Sequence, residues 1–404
     1  MALQTLALTA IRHSCLRGLV AQRAPDPPKI AITSTVRSSG YTVEEMACVV
    51  ERLLKDAGLV QSFSRLVVVM GHESASINNP YESADNCSFC AGESSRPNAR
   101  VFAQMANDPR VRDMLAASGI DIPVDTHFLA AMHNTCNDAV EFPDAVHIPV
   151  SHHAEVRDFS QALAEACQRN SHERCRRLSS HARTRTEAGA YLHVEERAEN
   201  GATIRPEYSA AGNALCVIGR RELTRGLFLD RRAFLVSYDP QTDDEEHSIL
   251  SRLLSVVIPV CVNVNLNYWF STVAPDKFGA GSKVGLNARS YLGVSDSPCS
   301  DLKCGLPIEM VDQHEPMRLL VAVEASPSAL LQIMSHNRLV ARFFTRHWLQ
   351  LASIVDGQLF EYQNGQFVER AVEKIHVPRV ETSRHWYAGS STYLGVAEIT
   401  SAKG

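Results

Sequence analysis

Between Val43 and Leu54 apolar side chains recur every three or four residues, with Val43, Met46, Val50, Leu53 and Leu54 on one stripe. That spacing predicts an amphipathic helix. Thr42 and Glu45 fit a capping box at its start, and Gly58 suits the stop at its end. The period then changes. Leu66-Val67-Val68-Val69-Met70 is a short β-branched run, the pattern of a strand buried on both faces of a parallel sheet. Helix, buried strand and then Gly71-His72 put an imidazole at the carboxyl end of a strand, where open α/β sheets place their ligands.

Further along, Ser151 to Arg185 is rich in Arg, His, Glu and Ala and predicts an exposed helix, with His153, His172 and His181 on a solvated face. Glu187 to Asn213 is polar and predicts a loop. A second α/β region is expected from Ala214: an apolar, buried stretch over Leu253 to Val264, a strand over Leu319 to Val323, and a helix over Ala329 to Leu351. Phe360 to Val368 predicts a hairpin turning at Asn364-Gly365. The longest apolar stretch, Leu253 to Leu266, carries Asn263 and Asn265 and is too short to span a bilayer. The fold class is α/β. The expected division is a disordered leader or extension over 1–37, an α/β half-domain over 38–150, a helical and loop segment over 151–213, and a carboxyl-terminal α/β region over 214–404 with the hairpin near 359–368.

Composition narrows the function. The 404 residues are 45% hydrophobic and 21% charged, enough for more than one domain and a real core. A net charge of −5 and the lack of a basic stripe interleaved with aromatics argue against nucleic acid as a partner. Eleven scattered cysteines fit reduced thiols in a cytosolic setting. Residues 1–37 hold Arg12, Arg17, Arg23 and Arg37 against the single acid Asp26, with Leu3, Leu6, Leu8 and Ile11 able to line a helix. Such a segment is either a transit peptide or an unrelated leader.

His72 and Cys87 carry the candidate chemistry. An imidazole and a thiolate make half of a tetrahedral zinc site, which takes three or four protein ligands. A lone His after a strand also serves as a hydrogen-bonding loop residue. Cys87 and Cys90 form a Cys-x-x-Cys, compatible with zinc ligands, a redox dithiol or two buried small side chains. The polar run Asn78-Asn79-Pro80-Tyr81-Glu82-Ser83 before it differs from the helix start that redox motifs occupy. His72-Glu73 begins like a zincin motif, but Ser76 stands where its second His belongs. Arg225, Asp230, Arg231, Arg232 and Tyr238 read as an ion-paired structural knot, or else as an anion or docking site. His314, Glu315 and Arg318 read the same way. Gly279, Gly281 and Lys283 lack the spacing of a phosphate loop.

Gly71-His72-Glu73-Ser74-Ala75-Ser76, with Asn78 to Ala84 and Cys87, resembles the signature of the DabA family, the zinc-binding subunits of two-component systems that accumulate CO2 and bicarbonate. The resemblance continues through Pro97-Asn98-Ala99-Arg100, Gly119 to Thr126, His133-Asn134-Thr135, Leu223 to Phe234, Ser237-Tyr238-Asp239-Pro240, Asn265 to Ser271, Gly279 to Lys283 and His314-Glu315-Pro316. It runs in order from about Gly40 to near residue 370.

The resemblance implies a metal site like that of β-carbonic anhydrases. In the family, zinc is held by a Cys and an Asp from an upstream Cys-x-Asp-x-Arg stretch and by a His and a Cys that fall on His72 and Cys87 here. No Cys-x-Asp-x-Arg precedes His72 in this sequence. Cys299-Ser300-Asp301-Leu302-Lys303 and Cys136-Asn137-Asp138 are superficial lookalikes. The chain is therefore expected to correspond to roughly the carboxyl half of a DabA protein, with the remainder on a separate upstream polypeptide or lost. Asp85 and Glu82 are candidates to support the two ligands from behind. The implied function is zinc-dependent hydration of CO2 to bicarbonate, coupled to a membrane-embedded, ion-translocating DabB-like partner at the cytoplasmic face of the cell membrane. An organelle replaces that location if 1–37 is a transit peptide. The alternative is an inactive remnant or scaffold that lacks the upstream Cys and Asp ligands.

Overall fold

Thr42 caps the first helix, α1 (Val43–Asp56), from both sides: its Oγ1 accepts from Glu45 N at 3.2 Å, and its own N–H donates to Glu45 Oε2 at 2.8 Å. The structure is a computed structural model describing residues 40–79, 82, 86, 92–178, 186–207, 212–280, 288–289, 293–294, 303, 305–371 and 376–403. The readings of residues 1–37, Asp85, Cys87, Cys90, His181, Gly281, Lys283 and Cys299–Leu302 fall outside the described residues. Beyond α1, Gly58 takes φ +69°, the left-handed geometry that ends helices. The buried stripe of α1 runs through Met46, Ala47, Val50 and Leu54, while Leu53, expected on it, is exposed.

β1 (Leu66–Glu73) is longer than the apolar run, so His72 is its penultimate residue rather than lying beyond it. α2 (Arg96–Asn107) and α3 (Pro109–Ala117) follow, then β2 (His127–Asn134) and β3 (Ala139–Glu141). β1 and β2 pair in parallel from Leu66↔His127 to Glu73↔Asn134, β3 returns antiparallel, and the order β1-β2-β3 leaves β1 at an edge. Val67 and Val69 pack with Val50, Phe102, Leu115 and Phe128 beneath the three helices. Side chains alternate across a strand. Val68, Met70 and His72 therefore face the other way, and Met70 is 42% exposed. The expectation of a strand buried on both faces is thus corrected for β1, although Leu129 and Ala131 beside Val68 and Met70 are buried on that second face.

α4 (His153–Cys175) occupies the expected helix, but its carboxyl-terminal charge is no solvated face, since Arg174 and Arg176 are buried. The loop expected over Glu187 to Asn213 instead begins with α5 (Glu187–Ala198). Thr186 caps it by accepting from Gly189 N at 3.1 Å, and Ala190, Val194 and Ala198 bury at helical spacing, the first two against Cys175 and Leu178. Small residues on a narrow stripe gave this helix too weak an apolar signal.

The larger sheet begins with β4 (Leu215–Gly219) and β6 (Ala233–Ser237), between which the chain forms β5 (Leu227–Phe228), a strand of another sheet. Next come α6 (Ser248–Val273), α7 (Pro275–Phe278), a small ribbon of β7 (Ala288–Arg289) and β8 (Gly293–Val294), and α8 (Ile308–Val311). β9 (Leu320–Val323), α9 (Pro327–His336), α10 (Arg338–Thr345), β10 (Gln350–Val355), β11 (Gln358–Gln363) and β12 (Gln366–Arg370) complete it. Its order is β12-β11-β10-β9-β4-β6, parallel from β10 to β6 and antiparallel through the terminal hairpin. Asn364 (φ 49°) and Gly365 (φ 93°) form the expected two-residue turn. The single helix expected over Ala329 to Leu351 is two helices followed by the start of β10. A last small sheet joins β13 (Arg379–Val380), β14 (Ala397–Ile399) and β5, beside α11 (Ser383–Tyr387).

α6 corrects the reading that no segment is long enough to cross a bilayer. Ser248–Arg252 and Asn267–Val273 extend Leu253–Leu266 in both directions with Arg252 as the one charge, and the resulting 26-residue helix passes by length and apolar composition. Its inner face, Leu250, Leu254, Ile258 and Cys261, packs in the core with Val321, Val323 and Phe344.

At the end of β1, a Cβ on Gly71 would lie 2.8 Å from Ser95 Oγ and 3.0 Å from Met132 Cε. Gly71→Ala is therefore expected to destabilise the fold by about 1–3 kcal/mol, as overpacking does. A urea unfolding midpoint equal to that of the parent would refute the close approach.

Candidate metal centre

His72 is held by its backbone. Its N–H donates to Ser95 Oγ at 2.6 Å, while Ser95 Oγ and Ser95 N donate to its carbonyl at 3.0 and 3.1 Å. Ser95 thus closes the end of the β1 edge, and only a glycine at 71 lets it come so near. The imidazole itself is exposed, and no described residue hydrogen-bonds its ring. A strand-end imidazole fixed by its main chain and open at its ring can offer a lone pair to a ligand.

The loop after β1 is tied down at several points. Ser74 N donates to Asn86 Oδ1 at 2.6 Å, Asn79 Nδ2 donates to Ser74 O at 2.9 Å, and Asn86 Nδ2 donates to Gly92 O at 3.3 Å. Asn78 is buried and its amide reaches the carbonyls of Arg197, Asn200 and Thr203 at 2.8, 3.0 and 2.9 Å, docking the loop on the end of α5. Asn86 directly precedes Cys87, which is itself outside the described residues along with Asp85. Among the described residues, no group of three or more His, Cys, Asp or Glu side chains could hold a metal ion.

His133 was legible only as part of a resembling motif, yet it is the in-register partner of His72 on the parallel neighbour. The two side chains therefore share one face of the sheet. His133 Nε2 lies 3.1 Å from Asp138 Oδ1. Asp138 is buried at φ 59° and also accepts from Arg174 Nη2 at 2.6 Å, Ser171 Oγ at 2.9 Å and Asn170 Nδ2 at 3.0 Å. Burial alone would raise the pKa of this carboxyl. The hydrogen bonds and charges of His133, Arg174 and Ser171 outweigh it and hold the group below its ordinary value. No local pattern announces this network, because Asp138 and Arg174 are 36 residues apart.

On the opposite face, burial pushes the Glu73 carboxyl above its usual range against the pull of Arg96, which pairs with Glu141 at 2.6 Å. Cys136, one of the lookalike ligands, is fully buried beside Ser74 Oγ at 3.4 Å, and burial raises its thiol. In the knot around Asp230 the aspartate is buried, pairs with Arg176 and Arg177, and accepts from Leu394 N at 2.7 Å, while Arg232 pairs with Glu315. Tyr238 donates to Asp243 Oδ2 at 2.9 Å.

Two substitutions test these electrostatics with opposite signs. Asp138→Asn strands buried Arg174 and is expected to cost about 3–5 kcal/mol at neutral pH. The Asp138 contribution is present above the ordinary value of 3.8 and is lost as pH falls through its lowered folded pKa. The raised Glu73 loses stability as pH climbs from 4.5, so Glu73→Gln is expected to stabilise the protein at pH 7 and to do nothing at pH 4. Unfolding midpoints at the two pH values decide both, and equal effects at each pH would contradict the assignment.

The family described as "Probable inorganic carbon transporter subunit DabA" matches residues 1–349. Curated relatives with that description include one from Rhodopirellula baltica, 45% identical over 365 residues, covering 90% of this chain and 34% of the relative. One from Sorangium cellulosum is 44% identical over 363 residues (89% and 36%), and one from Dechloromonas aromatica 40% identical over 398 residues (96% and 38%). The chain spans little more than a third of the length of these relatives. No solved structure matches it. With its own strand-end His72 and loop sequence in the signature, and with this extent of identity, the chain belongs to the DabA family.

Proposed function

We propose that this chain is the His72- and Cys87-bearing part of an inorganic carbon uptake subunit, completed by the portion of the family's polypeptide that its sequence does not span. The observation carrying this reading is the hydrogen bond from Ser74 N to Asn86 Oδ1. It draws Asn86, which precedes Cys87 in the sequence, back to the strand end that bears His72. A His on a strand end of a parallel pair, with helices on one face, also fits a β-carbonic-anhydrase-like half-domain.

The donor chemistry fits zinc in part: one imidazole and one thiolate of the three or four ligands required. Zinc when bound supplies a Lewis acid that lowers the pKa of water towards about 7, the requirement for CO2 hydration at neutral pH. The chain's own contribution is positional. Ser95 fixes the His72 backbone, Asn79 and Asn86 fix the loop, and the Asp138 network fixes His133 on the same face. Coupling to transport assigns this chain a membrane-embedded, ion-translocating partner of the DabB kind and a peripheral place at the cytoplasmic side of the membrane.

A second reading, an inactive remnant or scaffold, is favoured by one observation: no Cys-x-Asp-x-Arg stretch precedes His72 in this sequence. Co-expression with the missing two thirds of the Rhodopirellula baltica relative separates the two. The first reading expects about one zinc per assembly and measurable CO2 hydration, both lost in His72→Ala while the exposed substitution leaves the fold intact. A metal-free, inert assembly would establish the scaffold instead.

A further inference from the structure

The outer edge of β1 carries an unmet backbone requirement. Arg65 O accepts from His127 N at 2.7 Å and Glu73 O accepts from Thr135 N at 2.8 Å, so the odd-numbered residues address β2. Leu66, Val68, Met70 and His72 then direct their N–H and C=O groups away from the sheet. Ser95 takes those of His72. Among the described residues, nothing bonds the backbone of Leu66, Val68 or Met70.

Proteins normally protect such an edge with a lysine, a proline, a bulge or a covering element. Leu66 to Met70 has no charge and no proline, and its ladder with β2 runs one for one without a bulge. The same five residues turn Val68 and Met70 to the face opposite α1, α2 and α3, where Met70 is exposed. With three strands, this sheet is also smaller than the usual five or six.

We infer that the Leu66–Met70 edge of β1 is the seam at which a strand from the rest of the DabA polypeptide joins this chain. This rests on the reading that the material not spanned here completes the protein, on the same chain or on another. Relatives up to 45% identical carry that material on one polypeptide about three times the length matched. The occupant is a short apolar strand that takes the outward groups of Leu66, Val68 and Met70. Its inner side chains extend the core beside Val67 and Val69, and its outer ones cover Val68 and Met70. Pairing stops at His72, where Ser95 already holds the edge, so the added strand ends beside the imidazole.

Amide hydrogen exchange on this full chain, alone and co-expressed with the missing two thirds of the Rhodopirellula baltica relative, tests the seam. The amides of Leu66, Val68 and Met70 are expected to exchange rapidly in the chain alone and at least tenfold more slowly in the assembly. Val68→Pro removes one outward donor and no bond to β2, and is expected to abolish co-purification. Met70→Lys alters only an exposed side chain and is expected to weaken assembly at least tenfold, which keeps the test valid if the proline variant fails to fold. Three results overturn the inference: slow exchange in the monomeric chain alone, slow exchange that grows with its concentration (a second copy on the edge), or an assembly whose edge amides still exchange rapidly. Zinc content and CO2 hydration of the same assembly report separately on the proposed function. A protected edge without zinc defeats that reading alone, and zinc with an unprotected edge defeats only the seam.

Discussion

The parallel ladder between β1 and β2 is the constraint from which the candidate centre follows. Its register sets Leu66 opposite His127 and carries through to His72 opposite His133. A slip of one residue would turn Val67 and Val69 out of the core and His72 into it. The apolar contacts of those two valines beneath α1, α2 and α3 therefore fix which face the imidazole takes, although neither touches it. Gly71 and Ser95 then set how far the strand runs, since any side chain at 71 would push away the residue that ends the edge.

α4 joins this layer to the larger sheet through charge. Near its carboxyl end Arg174 reaches Asp138 in the loop after β2, and Arg176 and Arg177 just beyond it reach Asp230 between β5 and β6. Both aspartates are buried and both have left-handed backbones, φ 59° and 53°. Asp tolerates that region better than most residues. The side-chain oxygens are thereby turned inward from tight loops towards one helix end. Buried pairs of this kind add less net stability than their geometry suggests, because desolvation offsets most of the attraction. Their effect is on uniqueness: an α4 displaced by one turn would leave charges on both sides without partners.

Much of this was legible where the signal is local. Thr42 with Glu45, the β-branched run ending at Gly71-His72, and Asn364-Gly365 each announce an element through residues a few positions apart, and each forms. The misses have a common cause. α5 hides because Ala190, Val194 and Ala198 bury little apolar area. The Asp138 network hides because its partners come from β2 and α4. The one-sided burial of β1 hides because an all-apolar strand reads the same whether or not a second layer covers it.

α6 poses the same problem in another form. Length and composition alone would let it cross a bilayer, yet only 33% of its most apolar window is buried, and Val256, Val260, Trp269 and Phe270 face outward. Its inner face is committed. Leu250, Leu254, Ile258 and Cys261 are almost wholly removed from water among the strands of the larger sheet. Withdrawing that face into lipid would keep it out of water but forfeit its packing against the sheet. It would also expose Val321 and Val323 beneath it, which lipid around a departed helix could not re-cover. In this fold α6 is a core helix whose outer face is apolar, so any membrane component that meets it does so with the helix in place on the sheet.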